Sequence, residues 1–60
     1  MKQLKYKGYV GSVEYSEEDD MYFGELLNTD DLVLFEGRNY SELKNDFQNA
    51  VKEYITLLNG

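Results

Sequence analysis

Carboxylates are the side chains of this sequence best placed to do chemistry. Glu17, Glu18, Asp19 and Asp20 stand consecutively, and Asp30 and Asp31 form a second cluster further on. Oxygen ligands gathered in this way suit a hard cation. A calcium loop, however, places acids at alternate positions around a central glycine and closes on a glutamate, and neither cluster does so. Solvated acidic turns are therefore expected, with no metal and no cofactor. Nucleophilic catalysis lacks its parts. The chain has no cysteine and no histidine, so nothing of that kind activates Ser12, Ser16 or Ser41, and the commonest zinc ligands are missing as well. The expectation is a protein that is not an enzyme.

Tyrosines interleaved with lysines at Lys5-Tyr6-Lys7-Gly8-Tyr9 are the other suggestive run, since such rings can stack on single-stranded bases. The surrounding charge argues against it. The 60 residues carry a formal charge of -6, and residues 14 to 37 hold Glu14, Glu17, Glu18, Asp19, Asp20, Glu25, Asp30, Asp31 and Glu36 with no base among them. A field of that sign repels phosphate backbones and anionic lipid, so direct nucleic-acid and membrane partners are not expected. A basic protein surface is. The Gly8/Gly11 pair is no phosphate loop, because no Gly-Lys-Ser/Thr follows and no helix opens there.

The element that must organise these residues is the last third. From Asn39 to Leu58, Tyr40, Leu43, Phe47, Ala50, Val51, Tyr54, Leu57 and Leu58 recur at helical spacing on one face, with Ile55 on its shoulder. Asn39 and Glu42 predict a capping box at its start, and Asn59-Gly60 a left-handed cap at its end. Asn39-Tyr40-Ser41 also matches a glycosylation sequon, but the helix cap is the preferred reading of Asn39.

Ahead of the helix, strands are expected over about 4–15, 21–27 and 32–36, joined by the two acidic turns. Connections this short exclude parallel crossovers. The fold class is therefore α+β: one domain over 1–60, a three-stranded antiparallel meander followed by one long amphipathic helix on one face. The covered face is expected to carry Tyr9, Val13, Tyr15, Phe23, Val33 and Phe35. The open face would show Tyr6, Val10, Tyr22, Leu26, Leu32 and Leu34. The run Leu32-Val33-Leu34-Phe35 suggests burial on both sides. Gly8 and Gly11 mark a bulge or the close approach of another backbone or ring. An open apolar face invites a second copy or another protein, and small chains without staples often gain stability that way, so a homo-oligomer is expected too. Met1-Lys2-Gln3-Leu4-Lys5 has no apolar core of signal-peptide length, from which a cytoplasmic location is expected.

Taken together, the segments Tyr6 to Asp19, Tyr22-Phe23-Gly24, Leu32 to Gly37 and Ser41-Glu42-Leu43-Lys44 resemble the N-terminal domain of HicB-type antitoxins over roughly residues 5 to 58. The resemblance lies in the order strand, acidic turn, Phe-Gly strand, Phe-Glu-Gly, capped helix. It implies a partial, degenerate ribonuclease H-like fold and binding to HicA, a small basic messenger-RNA-cleaving toxin whose active site the domain masks. Longer members continue into a fourth strand and a DNA-binding segment beyond the part that residues 5 to 58 resemble, so operator binding is not expected from these residues. Lys5, Lys7, Tyr9, Gly11, Val13 and Tyr15 supply no acid where a ribonuclease H site would need one. The expected partner-binding residues are Glu17, Glu18, Asp19, Asp20, Asp30 and Asp31 for electrostatic capture, with Tyr6, Tyr22 and Leu34 as apolar anchors.

Overall fold

The computed structural model describes residues 3–59. Five strands precede one helix: β1 (Gln3–Tyr6), β2 (Tyr9–Ser12), β3 (Glu14–Ser16), β4 (Met21–Glu25), β5 (Leu34–Gly37) and α1 (Tyr40–Asn59). They form an α+β fold in which β3, β4 and β5 make a three-stranded antiparallel sheet in that order and β1 pairs antiparallel with β2.

The single first strand expected over 4–15 is thus three strands. Tyr6 pairs with Tyr9, and the two residues between them, Lys7 and Gly8, have φ of 52° and 84°. Two central residues with positive φ give the turn whose twist matches a hairpin. Lysine is an uncommon choice there, which is why the turn reads as strand in the sequence. Gly8 is accordingly a turn residue rather than a bulge. Asn28 braces the hairpin from outside, its Oδ1 accepting from the Val10 amide at 3.1 Å and its Nδ2 donating to Gly8 O at 3.0 Å.

β2 and β3 follow one path along β4. Gly11 bridges Leu26 and Glu14 pairs with Phe23, the same register on either side of the break at Val13. Within the break the Glu25 amide donates to the Ser12 hydroxyl at 3.0 Å in place of a backbone acceptor. β4 ends at Glu25 and β5 starts at Leu34, both shorter than expected. Leu32 and Leu34 are exposed while Phe35 is buried, so the run from 32 to 35 is covered on one side only.

The helix starts where its sequence marks it. Asn39 Oδ1 accepts from the Glu42 amide at 2.9 Å, and Glu42 Oε1 reaches back to the amide of Arg38 at 3.1 Å, one residue beyond the expected partner. The expected cap at Asn59-Gly60 involves Gly60, which lies outside the described residues. Leu43, Phe47 and Val51 are buried, with Ala50, Tyr54 and Ile55 packed beside them. Tyr40, Leu57 and Leu58, assigned to the same stripe, are 40%, 78% and 60% exposed.

Leu4, Leu26 and Phe35 complete the core from the sheet side, with Tyr6, Tyr9, Val13, Tyr22 and Val33 packed against it. Tyr6, Tyr22 and Leu26 therefore belong to the covered face and not the open one. Phe23, assigned to the covered face, is 41% exposed on the other. Two physical causes account for the reversal. The hairpin turn at Lys7 and Gly8 breaks the odd-even alternation, so that Leu4 and Tyr6 join Tyr9 and Gly11 on one side. On β4 the residue facing the helix is Gly24. A Cβ built there would lie 2.9 Å from the Phe35 ring, and one at Gly11 would lie 2.7 Å from Phe35 Cζ and Phe47 Cε1. The glycines vacate the room that these two rings fill, with centroids 5.1 Å apart. Gly37 lets the first turn of the helix come equally close, its Cβ position being 2.3 Å from the Leu43 amide nitrogen.

Candidate functional site: the acidic turns and the uncovered sheet face

The register of β3, β4 and β5 sets the pattern of the uncovered face. Ser16 pairs with Met21; Glu14, Phe23 and Glu36 form one row across the three strands; Glu25 and Leu34 form the next. Because successive residues of a strand alternate between faces, these rows share the side away from the helix. Leu27, whose amide donates to Val10 O at 2.8 Å, extends the pattern past the end of β4. Phe23, Leu27 and Leu34 are 41%, 47% and 65% exposed. An open hollow of about 580 Å³ touches Tyr15, Ser16, Asp19, Met21, Phe23 and Glu36.

Tyr15 pairs with Tyr22 and shares the helix side of the sheet, yet it is 47% exposed because α1 packs over β5, β4 and β1 and leaves β3 bare. Its ring rests on Tyr22 at 5.0 Å and its hydroxyl donates to Asp20. The hydrogen bond to Asp20, then partial burial, then the charge of Asp20 raise the Tyr15 phenol above its ordinary value. Asp20 itself has φ of 51°, a conformation that aspartate tolerates better than most residues, and the Ser16 hydroxyl accepts from the Asp19 amide at 3.4 Å.

The second acidic cluster has a different setting. Tyr54 of the helix donates to Asp31 Oδ2 at 2.7 Å and shares a hydrogen bond with the Thr29 hydroxyl, while Tyr9 meets its ring edge-on at 5.7 Å. The Thr29 bond lowers the Tyr54 phenol, but the Asp31 bond, partial burial and the charges of Asp31 and Tyr9 together outweigh it and leave it raised. Asp31 thus ties the loop to the helix.

All six acids expected to capture a partner, Glu17, Glu18, Asp19, Asp20, Asp30 and Asp31, are exposed. They do not make one surface. The 17–20 turn enters β4 and the loop bearing Asp30 and Asp31 leaves it, so the two clusters sit at opposite ends of a strand about 17 Å long. Of the expected apolar anchors Leu34 is open to solvent, whereas Tyr6 and Tyr22 are half-buried against the core. Lys7 Nζ lies over the Tyr6 ring, 5.6 Å from its centroid.

Glu14, Glu25, Glu36 and Phe23 are the residues that the turn-centred reading leaves out. Their signal was present as period two, in Glu14/Ser16, Phe23/Glu25 and Leu34/Glu36, but assigning it to a face needed the phase of β4. Among the described residues no group of three or more His, Cys, Asp or Glu side chains is arranged to hold a metal ion, and no helix is long and apolar enough to cross a membrane. Comparison with protein-family models, curated proteins and solved structures found no match for this chain.

Proposed function

We propose that this chain is a binding module that acts without catalysis, resembling the toxin-masking domain of HicB-type antitoxins, and that it would neutralise a small basic RNA-cleaving toxin of the HicA type by covering its active site. The degenerate ribonuclease H-like topology and a cytoplasmic setting belong to the same proposal. Its main support is the face of the sheet away from the helix, where exposed Phe23 and Leu34 stand among Glu14, Glu25 and Glu36. Apolar area supplies affinity there, and the carboxylates select a cationic partner. The exposed acids of both turns add a longer-range field at each end of the sheet, which speeds encounter more than it tightens the complex.

Self-association through this face is the weaker reading, because opposing two copies would gather both sets of Glu14, Glu25 and Glu36 into one interface at a formal charge of -6 per chain. Unpaired like charges at an interface oppose association. The test is direct. A HicA-type nuclease mixed with this protein in equal amounts should lose its RNA-cleaving activity and co-elute with it. Undiminished cleavage with no complex overturns the reading.

A further inference from the structure

We infer that the uncovered face of the β3–β4–β5 sheet is built to seat a basic amphipathic helix of the partner protein, lying along β4. The inference rests on the reading that the partner is a cationic protein and adds which surface meets it and in what conformation. Met21, Phe23 and Leu27 lie in one row along β4 and its extension, with Glu25 between Phe23 and Leu27 and Leu34 paired beside Glu25, giving an apolar ridge interrupted by one carboxylate. From Met21 to Leu27 this ridge runs about 20 Å, the length of roughly 13 helical residues.

Carboxylates flank the ridge. Glu14 and Glu36 pair with Phe23 from either side, which places the two residues on strands about 10 Å apart across the ridge, close to the diameter of a helix. Glu25 continues the charge between Phe23 and Leu27. A helix with an apolar stripe bordered on both sides by lysine or arginine fits this arrangement, stripe on ridge and cations on the two glutamate flanks. An added strand does not suit the neighbouring edge. Phe35 faces β4, so the amides of Glu36 and Arg38 point outward, and both are already bonded to helix carboxylates, Asp46 at 2.9 Å and Glu42 at 3.1 Å. With those two donors occupied, strand pairing along the 36–38 end of β5 is opposed.

The experiment uses the full chain and two synthetic peptides of identical composition, one with leucines at i, i+3, i+4 and i+7 bordered by lysines, the other scrambled. Titration calorimetry should show the ordered peptide binding at least tenfold more tightly. Phe23→Ser should erase that preference, and Glu14→Gln with Glu36→Gln should reduce it while circular dichroism stays unchanged. Equal binding of the two peptides overturns the inference, as does a preference that survives Phe23→Ser. Sedimentation of the free chain as a dimer that Phe23→Ser dissolves also overturns it, in favour of a second copy as occupant. If a HicA-type nuclease is inhibited equally by wild type and Phe23→Ser, the function stands and this surface is not its seat.

Discussion

A methyl group added at Gly24 would meet Ser12 O at 2.0 Å and the Phe35 ring at 2.9 Å. The first contact is with backbone, so it can be relieved only by parting the end of β2 from β4. Gly24→Ala should therefore lower stability by about 1–3 kcal/mol, the usual range for overpacking a filled core, read as a shift of the urea midpoint at unchanged slope. Gly8→Ala meets no neighbour within 4 Å but keeps φ at 84°. The strain of that backbone conformation alone should cost about 1 kcal/mol. Tyr15 and Tyr54 make a prediction in pH. Both phenols are raised on folding, so the stability they contribute is complete below about pH 10 and is lost as pH climbs through their folded values. Each should ionise above the ordinary tyrosine value in an ultraviolet titration. In Tyr15→Phe and Tyr54→Phe the corresponding late step should vanish, and alkaline unfolding should become less steep.

At the scale of elements the helix and the sheet are unequal partners. Twenty residues of α1 reach about 30 Å, whereas the five residues of β4 reach about 17 Å. The middle of the helix is buried and its last turn overhangs, in keeping with the long axis of 37 Å against 17 Å in the other directions. Phe47, at 1% exposure, and Leu57, at 78%, share the same sequence stripe and opposite fates. Phe47→Ala should cost about 3–5 kcal/mol, against a total stability of about 3–9 kcal/mol for a domain of this size. Thermal melting should find it largely unfolded. Leu57→Ser should change stability by no more than about 0.5 kcal/mol, as surface substitutions usually do. A large loss at Leu57 would mean that the last turn is covered by something else.

Across the whole molecule the charge is bipolar along β4, one acidic cluster at each end with the glutamate-flanked ridge between them. Reversing Asp19 and Asp20 to lysine sets two lysines against Glu17 and Glu18, cancels the net charge of that pole and leaves the ridge residues unchanged. With the ordered basic peptide, stopped-flow association should slow and its salt dependence flatten, while dissociation changes little. An unchanged on-rate would remove the 17–20 turn from the capture surface.

How far the fold was legible differs from element to element. Helix length, its Asn39 cap and the face that carries Leu43, Phe47 and Val51 followed from spacing and local hydrogen bonding, which depend on near neighbours in the chain; that Tyr40, Leu57 and Leu58 on the same stripe stay exposed did not. The α+β class and the antiparallel order followed from connections too short for anything else. Which side of each strand meets the helix did not follow. On β4 a phenylalanine and a glycine stand side by side, and size favours burying Phe23. The choice falls instead on Gly24, because the space above it is taken by the Phe35 ring of β5, which packs in turn on Phe47 of α1. Composition and spacing thus determined a capped amphipathic helix over an acidic antiparallel sheet. Only tertiary packing decided that Phe23 looks outward between glutamates and that the two acidic turns stand apart, since both depend on where distant side chains need room.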